Sequence, residues 1–100
     1  MQMVMMVFRT SLEHDLLPWI EQEELPFTRI DSALGKGATG TIPGRATFGG
    51  SNSILLLAIP DERLASFRNR AHQFHDELAS RHKGVGTPFH TFILPCIQWF

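Results

Sequence analysis

The 100-residue sequence predicts one α+β domain whose elements follow the order βαββαβ. Short apolar runs bounded by proline or glycine are typical of strands, and one longer segment has apolar residues at helical spacing. The length fits one domain and not two. Hydrophobic residues make up 43% of the chain and charged residues 19%, as in a folded soluble domain and unlike a disordered chain or a coiled coil. We therefore treat residues 1–100 as a single domain.

Net charge and cysteine content exclude several functional classes. Nine Lys and Arg oppose ten Asp and Glu, and the basic residues are scattered, so nothing in the composition favours a nucleic-acid or anionic membrane surface. The single cysteine, Cys96, excludes an internal disulfide and favours a reducing, cytoplasmic setting. The apolar start Met1–Phe8 is too short for a signal peptide or a membrane span, so direct membrane insertion is not expected.

Four short segments predict strands. They are Met3–Phe8, Phe27–Ala33, Ser53–Ile59 and Phe89–Leu94. The first and third are uninterrupted apolar runs, which predict strands buried on both faces. The second alternates only loosely, but it includes the β-branched residues Thr28 and Ile30. Pro95 ends the fourth, before a short apolar tail.

The segment between the first two strands predicts a helix whose start depends on Pro18. Apolar residues recur there at helical spacing, and Thr10 or Ser11 has the side chain of a helix cap. Pro18 lies inside the pattern, where a proline removes a hydrogen bond and clashes with the preceding turn. The helix is therefore expected either to begin near His14 or Asp15 or to kink.

The second predicted helix has the clearer pattern. It starts at Pro60 and Asp61, ends at Gly84, and repeats its apolar residues at spacings of three and four: Leu64, Phe67, Ala71, Phe74 and Leu78. Together the elements predict a ferredoxin-like domain, with a four-stranded antiparallel sheet and two helices on one face. Because the first, third and fourth strands are apolar at consecutive positions, the other face needs a partner. A homo-oligomer that packs sheet against sheet would supply it, and a bound apolar ligand is the alternative.

Residues 34–52 predict a long loop, which holds six of the eight glycines. Loops of this length tend to be functional or disordered. Gly35–Gly40 fits the spacing of a dinucleotide fingerprint, but Thr41–Gly44 includes Pro43 and prevents the helix that the fingerprint requires. A P-loop is excluded as well, because Thr41 and Ile42 stand where it needs Lys and Ser or Thr. Backbone N–H groups beside Lys36 can instead cradle an anion or phosphate, and a loop that orders only on a partner is the alternative.

The element order, the long glycine loop and two short motifs resemble the PII nitrogen-regulatory proteins and their PII-like relatives. The motifs are Asn52–Ile59 followed by Pro60-Asp61-Glu62, and Gly84-x-Gly86 leading into Phe92–Pro95. The resemblance covers nearly the whole chain. It implies a homotrimer whose sheets pack around a central axis, a long T-loop that reaches partner proteins, and adenine nucleotides bound in clefts between subunits.

The resemblance also implies which residues bind. The base of the loop and the second glycine segment would contact ATP, ADP or AMP, with Lys83 adding charge: Gly35, Lys36, Gly37, Thr39, Gly84, Gly86 and Thr87. Arg45 and Phe48 are expected to contact a partner protein, such as a transporter or an enzyme, because they are the large exposed groups of the loop. The chain departs from PII proteins in lacking their basic residues after the second glycine loop and in the C-terminal segment, and it has no tyrosine. The sequence thus predicts a divergent PII-like regulatory protein.

A histidine pair supports an alternative function, metal binding or metal tolerance on the same fold. His72 and His75 lie three residues apart on the second helix, and Asp76 follows. This set can hold part of a Zn or Cu site, although polar residues on a solvated helix face have the same pattern. A purely structural oligomer is the third alternative. No nucleophile elbow or acid–base constellation is present in the sequence, so no enzyme activity is predicted. Trp19 and Trp99 are expected to be packing or interface anchors.

Overall fold

The computed structural model describes residues 1–34, 51–82 and 87–100. Its strands are β1 (Gln2–Arg9), β2 (Thr28–Leu34), β3 (Ser51–Ile59) and β4 (Phe89–Pro95), and its helices are α1 (Glu13–Gln22) and α2 (Asp61–Arg81). A 3₁₀ turn, Thr10–Leu12, joins β1 to α1. The predicted order of elements is confirmed, with strand ends that differ from the predicted ones by at most two residues. Of the helices in the described ranges, none has the length and apolar character needed to span a membrane.

The four strands form one antiparallel sheet in the order β2-β3-β1-β4. The central strand β1 pairs with β3 on one side and with β4 on the other, and Met5 faces both Leu56 and Phe92 across these pairings. Strands β2 and β4 are therefore the two edges. With its two helices, this is the ferredoxin-like α+β fold that the sequence predicts.

One face of the sheet is covered by the helices. Val4 and Met6 of β1 and Leu55, Leu57 and Ile59 of β3 have no exposed surface. Helix α2 packs on them through the predicted stripe, of which Phe67, Ala71, Phe74 and Leu78 are buried and Leu64 is partly buried. Helix α1 adds buried Leu16 and Ile20. Alternation along the strands thus sends one set of side chains into the core, as the period of two requires.

The opposite face, here called the open face, is also apolar. Its central row runs across three strands through Leu56, Met5 and Phe92. In β1 and β3 these positions are half-buried, whereas Phe92 and Leu94 of β4 are 50% and 51% exposed and Ile30 of β2 is 44% exposed. The prediction of strands with apolar residues on both faces is confirmed, and the second face has no cover within the described ranges.

Helix α1 corrects one prediction about its cap. Neither Thr10 nor Ser11 caps it, because Leu12 is the N-cap residue and no side chain bonds to it there. The Thr10 hydroxyl instead donates to the carbonyl oxygen of Ser51 at 3.1 Å. Its side chain therefore makes a tertiary contact and does not cap the helix. The helix begins at Glu13, and Pro18 lies inside it, where it cannot donate the hydrogen bond of a helical N–H.

An ion pair joins the end of α1 to α2, and its carboxylate is nearly inaccessible to water. The Glu23 side chain is 8% exposed, and Arg70 Nε donates to both of its oxygens, at 2.8 and 2.9 Å. Arg63 also donates to the Glu23 backbone carbonyl, at 2.8 Å. The hydrogen bond to Glu23 raises the pKa of the Arg70 guanidinium above its usual value. Such bidentate pairs are the stronger kind of ion pair.

We expect an Arg70→Gln variant to melt several degrees below the wild type, because it leaves the shielded Glu23 carboxylate without its bidentate partner. A Glu23→Gln/Arg70→Gln double variant should recover part of the loss, since it also removes the charge. Thermal unfolding followed by circular dichroism measures this double-mutant cycle. Arg68→Gln, at an exposed position of the same helix, is the matched control and should melt like the wild type. Additive losses from the two single substitutions would show that the pair is not coupled.

Candidate functional site

Both glycine-bearing segments attach at one end of the sheet, here called the loop end. Strand β1 finishes there, and the pairs Arg9 with Asn52 and Phe8 with Phe89 place the start of β3 and the start of β4 beside it. The last residues of β2 pair with the first of β3 at the same end. Residues 35–50 are therefore flanked on each side by described residues that lie at the loop end. The same holds for residues 83–86.

A polar network occupies the core side of the loop end. Ser53 is fully buried, and its hydroxyl donates to Glu13 Oε1 at 2.5 Å. The Ser51 hydroxyl donates to Thr10 Oγ1 at 3.1 Å, and Thr10 Oγ1 lies 3.2 Å from Ser53 Oγ. Arg29 of β2 lies 3.8 Å from the second oxygen of Glu13. Hydrogen bonds thus join the end of β1, the start of α1 and the start of β3, directly beside the point where residues 35–50 join the sheet.

A second polar contact joins the two helices at the loop end. His82, the residue after α2, has Nε2 3.5 Å from Asp15 Oδ2, and His14 Nε2 lies at the same distance from that oxygen. Asp15 Oδ2 is buried and has no hydrogen-bond partner among the described residues. The first turn of α1 therefore lies against the end of α2, where the chain enters residues 83–86.

Most of the predicted binding residues fall outside the described ranges. Those residues are Gly35, Lys36, Gly37, Thr39, Arg45, Phe48, Lys83, Gly84 and Gly86. Thr87 is described and is exposed next to the start of β4. The binding roles of the whole set stay predictions. The described residues add the positions of the residues that flank the two glycine segments. Although these segments are distant in the sequence, both join the fold at one end of the molecule.

The predicted histidine pair lies elsewhere, beside an open groove between α2 and β4. His72 Nδ1 and His75 Nδ1 each lie 3.3 Å from a different oxygen of Asp76, so one carboxylate faces both imidazoles. The groove has a volume of about 430 Å³. Across residues 1–34, 51–82 and 87–100 no group of three His, Cys, Asp or Glu has the arrangement of a metal site. The three predicted ligands are brought together, and a metal-binding role for them stays a prediction.

Sequence reasoning missed the polar network of the loop end. Its members form two groups about forty positions apart in the chain, Thr10 with Glu13 and Ser51 with Ser53. One signal was present, because Ser51 and Ser53 begin the helix-facing side of β3, which is apolar from Leu55 onward. A buried hydroxyl must find a hydrogen-bond partner, but the sequence alone does not say which one.

Comparisons with known proteins agree with this architecture. No protein-family model matches the sequence, and no curated protein matches it. Among solved structures, the chain is similar to CPII, a nitrogen regulatory PII-like protein from Thiomonas intermedia K12 bound to ADP, AMP and bicarbonate, with 14% identity, a TM-score of 0.57 and coverage of 93% of this chain and 86% of that one.

A PII-like signalling protein from Thermus thermophilus is similar as well. The identity is 15% and the TM-score 0.51, over 92% of this chain and 82% of the other. At such identities the likeness concerns the fold alone. The chain has the fold of the PII-like proteins.

Proposed function

We propose that this protein is a PII-like regulator that binds a small effector and signals to a partner protein through residues 34–52. The observation that carries the proposal is the convergence at the loop end, where the flanks of both glycine segments meet. A ligand held by both segments would couple them, because its binding favours the conformation of residues 34–52 that contacts it best. That conformation would then decide whether the partner protein binds.

An adenine nucleotide is the effector class that we favour. The chain shares its fold with CPII, whose structure holds ADP, AMP and bicarbonate. Glycine-rich backbone offers N–H groups to phosphate oxygens, and Lys36 and Lys83 lie within the two glycine segments. We assign Gly35, Lys36, Gly37, Thr39, Lys83, Gly84, Gly86 and Thr87 to effector binding, and Arg45 and Phe48 to the partner protein.

The effector site would be completed by a neighbouring copy. The open face is apolar along Leu56, Met5 and Phe92, and its edge residues are about half exposed in the single chain. Burial of such a face between copies is favourable at roughly 25 cal/mol per Å² of apolar surface. A homotrimer that packs its open faces around an axis would bring the loop end of each copy beside its neighbour and form clefts there.

Hydrogen exchange with and without nucleotide tests the effector. Addition of millimolar ADP, AMP or ATP is expected to slow exchange in residues 34–52 and 83–87 and to leave the middle of α2 unchanged. Lys83→Gln should weaken binding at least tenfold, measured by calorimetry, because it removes a cation from the phosphate site. Arg68→Gln, fifteen residues earlier in the chain and about 20 Å from the Arg81 end of α2, is the matched control. Absence of any nucleotide effect on exchange would refute the adenine nucleotide as effector.

A further inference from the structure

Strand β2 is irregular close to the point where it enters the long glycine segment. Its register with β3 shifts between two cross-strand pairs, Ile30 with Ile54 and Ala33 with Asn52. Between these pairs β2 has two residues, Asp31 and Ser32, and β3 has one, Ser53. Two residues opposite one form a β-bulge, a feature that bends a strand and is over-represented beside functional sites.

The bulge decides which face of the sheet the end of β2 shares. Side chains alternate along a regular strand, so without the bulge Ala33 would lie on the same face as Arg29. Arg29 pairs with buried Leu55 on the helix-covered face. Ala33 pairs instead with Asn52, which lies on the open face because it alternates with buried Ser53. A shift of one residue exchanges the two faces, so the bulge determines how β2 enters the long glycine segment.

The backbone of Ser32 has a conformation that serine rarely adopts. Its φ is 59°, in the left-handed region, which glycine enters freely and which other residues enter against a steric penalty. Such a conformation persists only where the surrounding contacts impose it. Regular pairing of β2 would relieve Ser32 and is therefore the competing arrangement. Contacts around the bulge have to favour the arrangement that is observed.

A ring of polar contacts surrounds the bulge. Arg29 Nε lies 3.1 Å from Asp31 Oδ1 within the bulge, and Arg29 Nη1 lies 3.8 Å from Glu13 Oε2. The other oxygen of Glu13 accepts a hydrogen bond from Ser53, the residue opposite the bulge. The separate nitrogens of one guanidinium thus contact two carboxylates, which a lysine ammonium is less suited to do. The contacts join β2 to the first turn of α1 and return through β3.

We propose that Arg29 is a positioning residue, which holds the β2 bulge and so fixes the register in which β2 enters the long glycine segment. Without this cation, Glu13 and Asp31 are two like charges with no guanidinium between them, and their repulsion displaces Asp31. The register of β2 then shifts towards regular pairing, which relieves Ser32. The consequence for effector binding rests on the function proposed above, whereas the register itself does not.

Nuclear Overhauser effects between backbone protons of paired strands report the register directly. In the Arg29→Gln variant, the signal between Ala33 and Asn52 should lose at least half of its intensity. The signal between Met5 and Leu56, in the centre of the sheet, should stay unchanged and show that the variant is folded. An unchanged signal between Ala33 and Asn52 would overturn the proposal. Arg68→Gln, on α2, is the matched control and should keep both signals.

Rescue by glycine separates positioning from general stabilisation. The Arg29→Gln/Ser32→Gly double variant should regain the signal between Ala33 and Asn52, because glycine adopts positive φ without the penalty that Arg29 otherwise offsets. A loss that Ser32→Gly does not reverse would show that Arg29 stabilises the fold without holding the bulge. Ser32→Val should lose the signal even with Arg29 present, because a β-branched residue is strongly disfavoured at positive φ.

Calorimetric titration with ADP connects the bulge to the proposed function. Arg29→Gln should weaken ADP binding at least fivefold, and Arg29→Gln/Ser32→Gly should restore it. Unchanged ADP affinity in a variant with a shifted register would refute a role of the bulge in effector binding. Wild-type protein that binds no adenine nucleotide would refute the proposed effector, and the register measurement would still decide the role of Arg29. The two proposals therefore fail separately.

Discussion

A Phe67→Ala variant is expected to lose about 3–5 kcal/mol of unfolding free energy, the typical cost of truncating a fully buried phenylalanine. Phe67 is 1% exposed and lies in the middle of the apolar stripe of α2, where it also meets Trp19 with ring centroids 5.8 Å apart. Removal of the ring leaves a cavity that a helix packed across a sheet can only partly close. Urea denaturation at one fixed protein concentration measures the loss.

The matched control for this variant is Ser66→Ala, one residue earlier on the exposed side of the same helix. Its effect should stay within about 0.5 kcal/mol, as is usual for surface positions. A loss below about 1 kcal/mol for Phe67→Ala would show that this ring does not hold α2 to the sheet. Fixed concentration matters in both measurements, because any association of copies would add to the apparent stability.

Under the proposed homotrimer, a Met5→Glu variant is expected to reduce the mass of the assembly threefold. Met5 lies at the centre of the open face, between Leu56 and Phe92, and a carboxylate buried there between copies would have no partner of opposite charge in that apolar row. Light scattering on the folded variant measures the mass, and circular dichroism confirms that the fold persists.

Met5→Leu is the conservative control, since it keeps an apolar side chain of similar volume and should keep the mass of the wild type. A folded Met5→Glu variant with unchanged mass would rule out the open face as the interface of the assembly.

The helical stripe and the apolar strands were readable from the sequence because local patterns determine them. Phe67, Phe74 and Leu78 recur at the period of a helix and are buried as expected, and the runs around Met5 and Leu56 indicated a sheet with two apolar faces. The start of α1 was harder to predict from the sequence. Thr10 has the side chain of a cap, but it bonds to Ser51, forty-one positions away, and no local rule anticipates that choice.

Some features of the candidate site could likewise be predicted from the sequence, and others could not. Composition alone singled out residues 34–52, because six of the eight glycines are concentrated there. It did not indicate that Glu13 would bond to Ser53, or that Asp15 would lie beside His82 at the same end of the sheet. These pairs come from elements that are distant in the chain, and the strand register brings them together.

The sequence by itself determined the α+β order, the two apolar faces of the sheet and the position of the long glycine segment, since each depends on residues within a few positions of one another. Only the tertiary structure decided which strands form the edges, and hence that β4 leaves a groove beside α2 while both glycine segments attach at one end. The physical reason is that strand order and register depend on pairing between distant segments. The pattern of residues within one strand does not specify which other strand it pairs with.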